Sequence, residues 1–286
     1  MEQQFPRTTV SGISVSRMIM GSNWLLGWSH TSPAADKLIC DRYNESEKFH
    51  PMLEAYLKHG IDTIMAPFNF SPKLVQAVHE VEDKTGRSII MVDTPIINVD
   101  DNTAARREAE KAIQQCAANG SKICLIHHSC CEELVNKNKH TIERIDDYTK
   151  MIRDAGMVPG TSAHMPEVVL FCDQNGYDVE TYVQIYNPMG FMMQIEIETV
   201  ATIINNAQKP VMTIKPMAAG RCSPFVGLTF AWNTIRACDM VTVGAHTVDE
   251  VEEDVAISLA AIEHRMPKLG QRGSPAENQA VLNKEK

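Results

Sequence analysis

Eight times along this chain a short, mostly apolar run empties into a few polar, glycine or proline residues, and a stretch with helical spacing follows. The runs lie at residues 17–21, 61–66, 88–92, 123–126, 156–160, 181–185, 210–214 and 240–243. Strands that are apolar throughout are buried on both faces, the condition of a parallel sheet covered by helices. Eight strand-plus-helix units in unbroken alternation predict an α/β chain folded as a (β/α)8 TIM barrel, and 286 residues suit one such domain. The competing architecture, an open doubly wound sheet, would place a GxGxxG turn after the first strand, and residues 21–27 supply none. Residues 8–16 alternate polar and apolar around Gly12 and predict a short N-terminal hairpin. We therefore expect a single domain over 1–286, with the barrel at about 16–266 and a polar C-terminal tail at about 267–286.

Local signals support the helices. Over 45–59, Phe49, Met52, Leu53, Tyr56 and Leu57 make one apolar stripe, and Gly60 stops it. Ser71 and Pro72 read as the cap and first residue of a helix reaching about residue 84, and Thr247 with Glu250 as a capping box. Glu196 and Glu198 complement the dipole of the helix they open. Trp28, His30, Thr31 and Ser32 fall in what reads as a long polar loop, a lid over the strand ends.

Composition excludes several partners. A net charge of −9 leaves no basic face for nucleic acid or an anionic membrane surface. No stretch approaches the ~20 apolar residues of a membrane span, and the N-terminus has no apolar signal core. The 8 cysteines form no CxxC pair, and Cys124 lies inside an expected strand, so they read as free thiols of a cytoplasmic protein. Neighbouring cysteines rarely reach disulfide geometry, so Cys130 and Cys131 are expected as two thiols in a loop. A homo-oligomer is compatible with all of this.

Parallel strands carry chemistry at their C-terminal ends. The run at 123–126 ends in His127, His128 and Ser129, and the other runs bring Asn23, Asn69, Asp93, His164, Gln184, Lys215 and His246 to the same rim. By strand alternation His128 should point away from the side His127 faces.

Five segments resemble the aldo/keto reductases. Residues 156–166, with Gly160, Ser162 and His164, resemble that family's fifth-strand segment, residues 184–189 its sixth strand, and residues 216–220 its seventh-strand exit. Val243 and Gly244 with residues 248–253 resemble its eighth strand and helix, and Leu125-Ile126-His127 the strand bearing its active-site histidine. The segments keep the family's order and span most of the barrel. The resemblance implies the same barrel, and carbonyl reduction by a nicotinamide hydride with an Asp, a Tyr, a Lys and a His. Only His127 matches that tetrad. Met65-Ala66-Pro67 stands at the Asp, no Tyr occurs in 68–70, and Asp93-Thr94 stands at the Lys. Ser162 and Gln184 match residues that hold the nicotinamide amide, but Ala163 replaces the neighbouring Asn and Ile214 the stacking aromatic. Ala245-His246-Thr247 offers no charge-assisted contact to an adenosine phosphate. NAD(P) is therefore not expected, and no cofactor-binding residue is assigned.

The expectation is instead acid–base or metal-assisted chemistry beside the carbonyl of a small polyol or sugar-like substrate, of isomerase, epimerase or lyase type. Asp93, His127 and His164 would converge as the catalytic group or as ligands of a divalent Zn, Mn or Mg ion. Lys215 joins them as a Schiff-base nucleophile or a rim salt bridge. Asn23, Trp24, His30, Asn69, Ser162, Gln184 and Tyr186 would contact substrate. A nicotinamide-dependent reductase with a rearranged site is the alternative, and a non-catalytic binding barrel the second.

Overall fold

The computed structural model describes residues 3–268. It opens with an antiparallel hairpin, β1 (Arg7–Val10) and β2 (Ile13–Ser16), turned at Ser11 and Gly12, both at positive φ. Two left-handed residues make the tight turn whose twist matches the flanking strands. Val10 and Val15 of this hairpin join the cluster that fills the barrel interior, while Arg7 pairs with Asp62 at 2.8 Å. The hairpin thus plugs the end where the barrel strands begin.

The barrel strands are β3 (Met18–Gly21), β4 (Thr63–Ala66), β5 (Ile90–Asp93) and β6 (Ile123–Ile126), then, after a two-residue ribbon of β7 (Val135–Asn136) and β8 (Thr141–Ile142), β9 (Val158–Ala163), β10 (Tyr182–Ile185), β11 (Val211–Ile214) and β12 (Met240–Val243). They close in the order β3-β4-β5-β6-β9-β10-β11-β12, with β12 pairing parallel to β3. Ile19, Met65, Val92, Leu125, Val183, Met212 and Met240 fill the interior, and two larger apolar clusters lie between strands and helices. The expected barrel and hairpin are both present. The tail expected at 267–286 lies, beyond Lys268, outside the described residues.

Several boundaries differ for identifiable reasons. The helix expected over 45–59 is a 3-10 turn at Ser46–Lys48 and an α-helix at His50–Lys58, restarted where Pro51 cannot donate a backbone hydrogen bond. The apolar stripe survives, with Met52, Leu53, Tyr56 and Leu57 buried. The strand expected at 156–160 runs instead over β9, and Gly160 is needed there. A Cβ on it would meet the carbonyl oxygen of Thr181 and the side chain of Leu125 at 2.6 Å. The polar loop after β3 folds into helices Asn23–Leu26 and Pro33–Arg42, the second capped by Ser32 on the amide of Ala35. Ser71 makes no side-chain cap, whereas the Thr247–Glu250 capping box forms as expected. Cys130 and Cys131 are buried in a helix, not in a loop, and all 8 cysteines are free thiols. No helix among the described residues is long and apolar enough to cross a membrane.

Candidate active site

A pocket of about 620 Å³ opens where the barrel strands end. His127, His128, Ser162, His164, Ile214 and Lys215 line it, with Asn23, Trp24, Trp28 and His30 from the segment after β3. Among the described residues no Asp or Glu lines it. Gly21 and Gly244 let β3 and β12 approach beneath Trp24, since a Cβ on Gly21 would stand 3.1 Å from the amide of Gly244 and one on Gly244 3.1 Å from Trp24.

The centre of the site is a row of three imidazoles. The rings of His127 and His128 lie 4.2 Å apart, and those of His128 and His164 stack at 4.1 Å with planes 20° apart. His128 reaches the pocket because β6 ends at Ile126. His127 caps the short helix His128–Glu133, so strand alternation no longer governs its neighbour. This corrects the expectation that His128 points away. The Nδ1 of His127 accepts the backbone N–H of Ser129 at 3.3 Å and lies 2.8 Å from its hydroxyl. With Nδ1 an acceptor, the proton of the neutral ring sits on Nε2.

Burial makes these rings reluctant to charge. It lowers His127 to about 4, with help from His128 and Lys215, and His164 to about 3, with help from His128, Lys215 and His127. Lys215, at a left-handed φ of 58°, is lowered to about 8 by loss of solvent alone. Its ammonium has no hydrogen-bond or ion-pair partner among the described residues. His30, also at positive φ, lies 3.2 Å from the amide of Asn23 and is lowered by burial and then by Lys215.

Four expected site residues lie elsewhere. Asp93 follows the inward-facing Val92, so its side chain turns out of the barrel toward the helix Thr103–Ala118. There it accepts from the amide of Phe68 at 3.3 Å and the hydroxyl of Ser121 at 3.2 Å, and burial raises it to about 6. It is not brought to His127 and His164, and the expected metal trio does not assemble. Asn69 is tied to Ala112 and Asn119 on the same outer side. The hydroxyl of Tyr186 bonds Thr234 at 3.0 Å, its ring packed on Phe230. Gln184 is fully buried behind the pocket, its Nε2 on the carbonyls of His164 and Ile185 and its Oε1 without a partner.

A different trio does converge. The nearest ligand atoms of His128, Glu132 and His164 all lie within 4.8 Å of one another. Sequence reasoning missed Glu132 because its relation to His164 is made only by barrel closure. The four-residue spacing from His128 was the available signal.

No family model and no curated protein sequence matches the chain. Solved structures match its fold. A Pseudomonas aeruginosa protein described as a candidate aldo-keto reductase superposes with a TM-score of 0.65 at 13% identity, covering 91% of this chain and 97% of that one. A thermostable aldo-keto reductase solved with the inhibitor epalrestat gives 0.61 at 12% identity, covering 97% and 98%. A truncated 3-deoxy-D-arabino-heptulosonate 7-phosphate synthase of Thermotoga maritima gives 0.52 at 8% identity, covering 91% and 90%. At these identities the likeness is one of architecture, which does not carry chemistry with it. The chain has an aldo-keto-reductase-like (β/α)8 fold, far diverged in sequence.

Proposed function

We propose that this barrel is an enzyme that reduces the carbonyl of a small polar substrate with a hydride from a nicotinamide cofactor, through a rearranged set of proton donors. One observation carries the reading: the pocket presents N–H donors, the Nε2 of His127 and the ammonium of Lys215, and among the described residues no carboxylate lines it, Glu132 lying outside the lining beside His128 and His164. Donors aimed at an oxygen stabilise it as it turns negative, the need of a carbonyl becoming an alkoxide. Abstraction of a proton beside the carbonyl needs a base instead, and the tether to Ser129 removes the free lone pair of His127. The isomerase or lyase expectation is therefore the weaker one. What favours it is the ring of His164, which lines the pocket with both nitrogens unpartnered among the described residues.

At the nicotinamide end of a cofactor, Ser162 lines the pocket and would meet the carboxamide, whereas Gln184 lies fully buried behind the pocket and does not reach it. The far end fits poorly, since among the described residues Lys215 is the only Lys or Arg lining the pocket. When bound, the cofactor supplies the hydride. Lys215 then gives its proton to the substrate oxygen while His127 holds that oxygen by a hydrogen bond. Trp24 and Trp28, both in the pocket wall, exclude water.

The same tryptophans report the test. Titration with NADH and with NADPH is expected to quench Trp fluorescence saturably and to raise the melting temperature, with Ser162→Ala weakening both. Absence of both responses with either cofactor overturns the reductase reading.

A further inference from the structure

We propose that His128, Glu132 and His164 form a site for a divalent transition-metal ion of the zinc class, held by two imidazole nitrogens from the wall of the mouth pocket and one carboxylate oxygen beside them. The site stands on its own donors and does not depend on which carbonyl reaction the pocket performs.

The backbone arranges the donors from two directions. His128 and Glu132 are four residues apart in the helix His128–Glu133 and so share its face. His164 arrives from the loop after β9, which packs beside β6 in the closed barrel. The ligand atoms lie within 4.8 Å of one another. Donors about a tetrahedral ion with bonds of about 2.0–2.2 Å stand roughly 3.3 Å apart, a contraction that side-chain rotation supplies.

Each donor is also short of a partner. The rings of His128 and His164 stack at 4.1 Å, yet neither ring has a hydrogen bond among the described residues. Both residues line the pocket, so their ring nitrogens are free to take a ligand from it. Glu132 spends only one oxygen. Its Oε1 accepts the backbone N–H of His164, and that of Met165 at 2.8 Å. These bonds fix the carboxylate against the loop that carries His164, the orienting role that neighbours of metal ligands perform, and leave Oε2 available. His127 stays outside the set because its Nδ1 is engaged by Ser129.

Two nitrogens and one oxygen leave a fourth position, and His128 and His164 both face the pocket, so that position opens onto it. Its ligand would be an oxygen donor: a water, or the carbonyl or hydroxyl oxygen of the bound substrate.

The test is binding and does not require a known substrate. The full chain is treated with chelator, dialysed and titrated calorimetrically with zinc(II), and cobalt(II) is added separately as a spectroscopic probe. One equivalent should bind, and His128→Ala, His164→Ala and Glu132→Gln should each weaken it at least tenfold. The pairs His50–Glu80, His59–Glu252 and His79–Glu82, at 2.7, 2.8 and 3.1 Å, are competing donors, so His50→Ala, His59→Ala and His79→Ala should leave binding unchanged. Cobalt(II) should give the intense visible bands of a four- or five-coordinate ion without a thiolate charge-transfer band. Should an alanine variant fail to fold, His164→Gln and the wild-type cobalt spectrum decide. The proposal is overturned by less than one equivalent bound, by binding kept in the His164 variant or lost with His50→Ala, or by a thiolate or weak octahedral spectrum. Loss of cofactor binding with the metal retained would sink the reductase reading and leave this one standing.

Discussion

The two ends of the barrel treat buried charge in opposite ways. Near the floor, Asp239 is wholly buried just ahead of β12 and every demand it makes is met. It accepts the amide of Val211 at 2.8 Å and the guanidinium of Arg236 at 2.7 Å, while Arg17 donates to the carbonyls of Asp239 and Arg236. At the mouth, Lys215 is also largely withdrawn from water but shares the pocket with neutral imidazoles and indoles, with no anion beside it among the described residues. A satisfied buried charge fixes a fold, and an unsatisfied one is a standing cost that a ligand can relieve. The floor is built for stability and the mouth for something that binds.

Replacing the mouth cation should separate those roles most sharply. Lys215→Met removes an unpaired charge from a poorly solvated place and should raise the melting temperature. It should also lower turnover of any carbonyl substrate by at least about 100-fold, the scale of losing one donor to a developing oxyanion. A variant that melts lower, or that keeps its turnover, would erase the contrast between the two ends. The pH profile sharpens the point. With Lys215 lowered from 10.5 to about 8, a proton-donor role predicts a rate that is flat below pH 8 and falls above it, whereas a Schiff-base role predicts a rise through the same range. For stability the sign is fixed: between about 8 and 10.5 the unfolded chain holds the Lys215 proton and the folded chain does not. This residue's contribution therefore grows as pH rises through that window.

The floor substitution should do the reverse. Asp239→Ala strands Arg236, whose side chain keeps only about a fifth of its exposure (22%), and leaves the amide of Val211 unpaired. Breaking a buried pair by removing one partner costs about 3–5 kcal/mol, which thermal denaturation would read as a drop of roughly 6 °C or more in a domain this size. Zinc(II) and cofactor binding, measured well below that melting point, should be unaltered.

How much of this was legible depends on what each residue's environment is made of. Strand runs and hairpin are local patterns, and closing eight such units leaves few topologies, so the barrel could be read directly. The pocket positions of His127, His164, Ser162 and Lys215 followed from their places at strand ends. Direction was harder, because it turns on a single residue's parity. Asp93 follows an inward Val92 and so points outward, and the same logic misled for His128, where the strand had already ended. For Glu132 only its spacing from His128 was legible, because its other partner comes from a segment more than thirty residues away, joined only in the closed barrel.

Asp254 tests whether an unpartnered buried charge always marks a site. It lies on the helix Val248–Ile262, outside the pocket, with no hydrogen-bond or ion-pair partner among the described residues. Burial, reinforced by Glu250, raises it to about 8. The folded chain therefore holds its proton more tightly than the unfolded one, and the residue's favourable contribution is lost as pH climbs from about 4 to 8. Asp254→Asn should melt at least about 2 °C higher at pH 8, differ little at pH 4, and leave cofactor and metal binding unchanged. Altered binding would mean that the mouth extends further into the helical layer than its lining indicates.

The smallest effect belongs to Ser129. Its amide and hydroxyl both meet the Nδ1 of His127, but only the hydroxyl is lost in Ser129→Ala, so the helix cap and the tautomer it imposes survive on the backbone bond alone. A second contact to an already fixed ring orients more than it activates. Turnover should fall by only about 2–10-fold, roughly 0.4–1.4 kcal/mol in barrier, with KM little changed and the fold intact. A loss as large as that of Lys215→Met would require the hydroxyl to relay a proton through the ring, making His127 a base in the reaction. The mouth would then be suited to enolisation rather than to an oxygen gathering negative charge, and the preference for hydride reduction would reverse.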